Sequence, residues 1–144
     1  MDNFLNNIKK LKLSLVGSYA RGDNMANSDI DTITTENIDV VENRLKPFTK
    51  KVYRKGKAFL SVLLQIGNIK KKVDVFLVDS KIWGKMYYSI EGNKIIGLRR
   101  YIKKNRLPFN INQYGFFENG KLNKSVKTYK QLKGGKQQFY NIEN

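Results

Sequence analysis

Ser14-Leu15-Val16-Gly17-Ser18-Tyr19-Ala20-Arg21-Gly22 and, after a short polar stretch, Ser28-Asp29-Ile30-Asp31-Thr32-Ile33-Thr34 decide how the chain is read. Leu11, Leu13 and Leu15 alternate with Lys12, Ser14 and Val16, which is the period of a strand. That strand ends at Gly17-Ser18, just ahead of a predicted short helix. Asp29 to Thr35 is again extended and rich in β-branched residues. Successive strand side chains point to opposite faces, so Asp29 and Asp31 share one, roughly 6.5 Å apart at Cα for a rise of ~3.3 Å per residue. Two carboxylates held side by side repel unless a cation joins them.

Outward from this segment the pattern stays regular. Residues 3 to 10 read as a short helix. Glu36 to Lys46 reads as a helix with Ile38, Val41 and Leu45 on one face, stopped by Pro47. Residues 57 to 66 and 70 to 78 are two apolar runs joined by Gly67-Asn68, the composition of a hairpin. Strand, helix and hairpin in this order predict an α+β fold, a mixed sheet backed by helices, ending near Asp79. Beyond it, Lys81 to Tyr88 and Gly92 to Asn105 read as helices. The second turns Ile95, Leu98 and Ile102 inward and Arg99, Arg100, Lys103 and Lys104 outward, and Pro108 terminates it. Phe109 to Phe117, the Glu118-Asn119-Gly120 turn and Lys121-Leu122 read as a small hairpin. A short helix near Thr128 to Leu132 and a loose Gly134-Gly135 tail complete the chain. The division is residues 1–80 and 81–144.

Composition narrows the chemistry. The 144 residues carry 28 Lys plus Arg against 12 Asp plus Glu, a formal charge of +16 that attracts polyanions. Apolar residues at 40% suffice for a core. There is no Cys and no His, which excludes Ser-His-Asp and Cys-His machinery and the usual zinc sites. Carboxylates, hydroxyls, Lys and Arg remain, and oxygen ligands suit Mg²⁺ or Mn²⁺. Met1-Asp2-Asn3-Phe4-Leu5 has an acid where a signal peptide carries positive charge, and no apolar run approaches the ~20 residues of a membrane span. The expectation is an intracellular protein that is not secreted and has no membrane partner.

A third carboxylate stands in Val73-Asp74-Val75-Phe76-Leu77-Val78, an apolar strand in which a lone charge is expensive. Asp29, Asp31 and Asp74 together suit two metal ions ~3.5–4 Å apart, the arrangement used in in-line nucleotidyl transfer. Gly17-Ser18 ends a strand at a helix start, where backbone N–H groups favour phosphate. The Ser18 hydroxyl and the Arg21 fork would face the same anion.

Gly17-Ser18, then Asp29-x-Asp31, then an isolated Asp74 in a later strand resembles the signature of the polymerase-beta-like nucleotidyltransferase superfamily. Gly92 to Tyr114, with its Arg- and Lys-rich helix and Phe109-Asn110-Ile111-Asn112-Gln113-Tyr114, resembles the thumb of family X DNA polymerases, and the whole resembles their small viral palm-and-thumb type. The resemblance implies a palm over residues 1–80 and a thumb over 81–144. It implies catalytic and metal-binding roles for Asp29, Asp31 and Asp74, holding two Mg²⁺ with Mn²⁺ as the substitute. Nucleotide contacts are implied for Gly17, Ser18, Arg21, Ser28, Gly92 and Asn112. DNA contacts fall to Lys72, near the primer end, and to Arg99, Arg100, Lys103 and Lys104. The expected partners of this monomer are gapped or primer-template DNA and dNTPs, and the expected task is template-directed, short-gap synthesis in repair. The chain departs from the family at Ser89-Ile90-Glu91, where an aromatic pair usually screens the sugar 2′ position, at Gly97 and at Tyr101. The alternative is a superfamily member that transfers a nucleotide to a small molecule or protein, and a non-catalytic nucleic-acid binder is disfavoured by three intact carboxylates.

Overall fold

The computed structural model describes residues 1–90 and 92–125; the helix expected near residues 128–132 and the Gly134-Gly135 tail lie outside them. Helix α1 (Asp2–Lys10) buries Phe4 and Ile8, one turn apart on the same face. It is capped at Leu11, whose N–H donates to Asn7 O at 2.9 Å, and Lys12 adopts φ +64 to reverse the chain. The strand expected from Leu11 is therefore shorter, β1 running over Ser14–Val16. Leu11 and Leu13 still pack on the core, from the turn.

Helix α2 (Gly17–Arg21) follows directly, then β2 (Ile30–Thr34) and α3 (Ile38–Leu45). The Asn37 side chain accepts the Asp39 N–H at 2.8 Å and caps α3. Pro47 sits in a short 3₁₀ turn, Lys46–Phe48. A strand that the sequence does not announce comes next, β3 (Thr49–Lys55). Its residues Lys50, Lys51, Arg54 and Lys55 are polar, and it lies at the sheet edge almost wholly exposed, so no apolar alternation marks it.

β4 (Phe59–Ile66) and β5 (Ile69–Leu77) form the expected hairpin. The sheet order is β1-β2-β5-β4-β3, with β2 and β5 parallel and the other neighbours antiparallel. One face carries Ile30, Leu60, Val62, Leu64, Val73 and Val75, packed against α1 and α3. The opposite face carries Asp31, Ser61, Lys72 and Asp74, then Ile33 and Phe76 beside Val16, Val78 and Tyr88; Asp29, expected to open the strand, lies one residue ahead of β2 with its carboxylate beside Lys72. The fold is α+β, as expected.

The helix expected over residues 81–88 divides. Ser80 caps α4 (Lys81–Lys85), and residues Met86–Ile90 continue as a π-helical turn before α5 (Gly92–Lys104). The π turn widens the helix so that Tyr88 stacks on Phe76 of β5, centroids 4.3 Å apart, while Tyr87 OH accepts a hydrogen bond from Arg99 Nη1 at 2.9 Å. The hairpin expected at Phe109 is a three-stranded sheet of β6 (Phe109–Asn112), β7 (Gly115–Glu118) and β8 (Lys121–Leu122), with an additional tight turn at Gln113-Tyr114. Trp83, Met86, Ile95, Leu98, Ile102, Ile111 and Phe116 make a second core. Trp83 Nε1 donates to Asn112 O at 2.7 Å and ties α4 to β6.

Truncating Ile8 leaves a cavity between α1 and the sheet. Ile8→Ala is expected to lower stability by about 2–4 kcal/mol in urea titration. A loss below about 1 kcal/mol would place α1 off the core.

Candidate active site

The sheet register brings the carboxylates together. Asp31 of β2 lies opposite Asp74 of β5, and neighbouring strands run ~4.8 Å apart. Asp29, two residues before Asp31, lies on the same face, where Lys72 Nζ approaches its Oδ2 to 3.3 Å. Ser61 of β4 stands opposite Asp74 and donates from Oγ to Asp74 Oδ1 at 2.6 Å. Thr32 Oγ1 donates to the Asp74 carbonyl at 2.9 Å from the other face, fixing the strand beneath the side chain.

Gly17 closes the site from the β1 side. It holds φ +66, and a Cβ there would stand 2.7 Å from Asp31 Oδ2. Glycine is therefore required twice, for backbone conformation and for space. Ser18 follows it in α2, which ends with Gly22 N–H donating to Ser18 O at 2.8 Å. Arg21 Nε donates to Asp23 Oδ2 at 3.1 Å while its charge acts on Asp31. Ser28 Oγ accepts the Met25 N–H at 2.8 Å and shapes the loop into Asp29.

Electrostatics mark Asp31. Burial, and then the charges of Asp74 and Asp29, push its carboxyl up to about 6, with Arg21 and Lys72 pulling back. Lys72 is in turn held above the usual lysine range by Asp74 first and by Asp29. Among the described residues no three acidic side chains close on one point, since Asp29 leans to Lys72 and Asp74 to Ser61. The donors still fit a hard divalent cation. All are oxygens, and a carboxyl raised by burial and by its acidic neighbours is one whose ionised form an added positive charge would favour.

The remaining expected residues lie in the second half. Gly92 is the first residue of α5. Arg99, Arg100, Lys103 and Lys104 are exposed along that helix, and the cations acting on Asp31 are Arg21 and Lys72 rather than these. Asn112 uses its side-chain oxygen to accept the Tyr114 N–H at 2.8 Å, holding the β6–β7 turn. Ser61 is the site residue that sequence reasoning missed. Its signal was present, because a two-residue turn at Gly67-Asn68 pairs Ile66 with Ile69, and counting back along both strands brings Ser61 opposite Asp74.

The profile of the nucleotidyltransferase domain family matches residues 2–107, which include every one of these carboxylates. The chain belongs to the nucleotidyltransferase domain family. A comparison with curated proteins finds no match. Among solved structures, this nucleotidyltransferase is similar to polymerase beta of Leishmania infantum in a ternary P/T complex, with TM-score 0.62, 14% identity, and coverage of 85% of this chain and 62% of that one. At that identity the likeness establishes the fold, and the chain spans less than two thirds of the polymerase.

Two outcomes follow for this nucleotidyltransferase. The charged form of Asp31 is the penalised one, so its cost to stability grows as pH rises from the ordinary 3.8 through about 6. The shift corresponds to at most about 3 kcal/mol, of which solvent screening leaves about 1–2 kcal/mol. In EDTA, Asp31→Asn is therefore expected to melt higher than wild type at pH 8 and without gain below pH ~4; a lower melting point at pH 8 would contradict a charged form penalised by burial and by its acidic neighbours. Gly17→Ala is expected to lose at least about 1 kcal/mol from the left-handed backbone alone, and thermal melting checks it.

Proposed function

We propose that this nucleotidyltransferase is a template-directed DNA polymerase that adds dNTPs to a primer 3′-hydroxyl and fills short gaps. The observation that carries the reading is the side-by-side register of Asp31 and Asp74, with Asp29 on the same face and Gly17 against Asp31. Asp29, Asp31 and Asp74 would hold Mg²⁺, or Mn²⁺ in its place. Bound there, the cations would neutralise the triphosphate and acidify the attacking hydroxyl.

The chain's own groups supply the rest. The Gly17-Ser18 backbone, the Ser18 hydroxyl and Arg21 bind the triphosphate, Gly17 by letting the backbone approach. Asp74 takes the proton from the primer 3′-hydroxyl while Ser61 holds its Oδ1 and so fixes which oxygen faces the primer. The 3′-oxygen bonds to the α-phosphorus, the α–β phosphoanhydride bond breaks, and pyrophosphate leaves with the electron pair. Lys72, which lies between Asp29 and Asp74, would meet the primer-end phosphate. Positioning and charge stabilisation carry most of the rate, and no histidine is needed.

Family membership leaves the acceptor open between a nucleic acid, a small molecule and a protein. The formal charge of +16 favours a polyanion, and the polymerase beta fold likeness supports DNA.

A labelled primer on a one-nucleotide gap, with Mg²⁺ and each nucleotide, tests this. Extension by one nucleotide is expected, with a loss of at least about a thousandfold in Asp74→Asn, since the proton acceptor and a cation ligand go together. Absent extension in the wild type, or equal extension by Asp74→Asn, would refute it. Ser61→Ala is expected to fold at a cost of about 1 kcal/mol and to lower kcat with KM for dNTP nearly unchanged.

A further inference from the structure

A groove of about 510 Å³ runs between α5 and β6, built entirely from α5, the turn after it and β6 rather than from the strands that carry the carboxylates. It is lined by the exposed Arg99, Arg100, Lys103 and Arg106 and by the half-buried Leu107 and Phe109, which form its apolar floor over the buried Ile102 and Ile111. No acidic side chain lines it among the described residues. Ile96, 48% exposed, extends the apolar surface at its edge.

Three features specify the occupant. The cations form a row, Arg99 to Lys103 covering about 6 Å of helix axis at ~1.5 Å per residue and Arg106 continuing past the helix end, which fits a run of phosphates better than one anion. The apolar floor offers nothing to a phosphate or to the outside of a duplex, whereas an unpaired base presents a flat face to it. Arg106 keeps φ +51 just beyond α5, a left-handed position that helices commonly give to Gly, so a cation stands where the backbone would favour none.

We propose that this groove binds single-stranded nucleic acid, an unpaired base lying on the apolar floor and the flanking phosphates on Arg100, Lys103 and Arg106. The inference rests on a nucleic-acid substrate for this enzyme and adds a second site, away from the carboxylates, that would hold a strand not yet paired.

The test is fluorescence anisotropy of the full chain in EDTA, with a short labelled oligothymidylate and a duplex of equal length, and with thermal melting as the control for folding. Arg100→Ala/Lys103→Ala is expected to weaken single-strand binding about tenfold or more and duplex binding less than about threefold. It should also flatten the single-strand slope of log affinity against log salt by about 1.4, at ~0.7 per phosphate contact. Ile96→Ser is expected to weaken single-strand binding with an unchanged slope. Equal loss for strand and duplex, an unchanged slope in the double variant, or complete displacement of the oligonucleotide by ATP would overturn the proposal. Failed primer extension by the wild type with intact groove binding would remove the polymerase reading alone, and extension by the wild type with no groove binding would remove the groove alone.

Discussion

Parallel pairing of β2 with β5 sets Asp31 beside Asp74, and the rest of the site is arranged around that repulsion. Burial first, and then the charges of Asp74 opposite it and Asp29 on the same side, raise the Asp31 carboxyl to about 6. The surroundings offset the cost piecemeal. Lys72 pairs with Asp29, Ser61 donates to Asp74, and Arg21 lowers Asp31 from across the α2 turn. The opposite face of the same strands is apolar and locked against α1 and α3, so the strands cannot slide to separate the acids. A one-residue slip would turn every core residue outward.

How much of this could be read from the chain depends on the range of the interaction involved. Strand alternation foretells Asp29 and Asp31 on one side, although Asp29 precedes β2 and is held there by Lys72, and Gly67-Asn68 sets the β4–β5 register; both expectations come from local rules. The placement of β2 against β5 joins residues more than forty positions apart, and no local rule supplies it. β3 was illegible because an exposed edge strand needs no apolar alternation, and its lysines are what an edge uses to discourage pairing. The π turn at Met86–Ile90 was illegible for another reason: periodicity reads it as helix, and the stacking of Tyr88 on Phe76 that accompanies it is tertiary.

That same stacking links the two cores. Phe59 packs on Phe76 at 5.2 Å, Phe76 on Tyr88 at 4.3 Å and Tyr88 on Tyr87 at 5.0 Å, and Tyr87 meets Arg99 of α5. Phe76 lies two residues beyond Asp74 on the same strand face. The cation-bearing helix is therefore held, through aromatic contact, to the strand that carries a carboxylate. Charge is divided in the same sense: the acids are gathered on one sheet face, while α5 is studded with Arg and Lys. The two signs of charge are thus kept on separate elements of the fold.

The most direct measurement is anomalous diffraction from crystals grown with a non-hydrolysable dNTP analogue and Mn²⁺. The expected result is two peaks about 3.5–4 Å apart, ligated by Asp29, Asp31 and Asp74, with the triphosphate against Gly17-Ser18. Mn²⁺ bound elsewhere, or the carboxylates left in their Lys72 and Ser61 contacts with the nucleotide absent from this face, would contradict it.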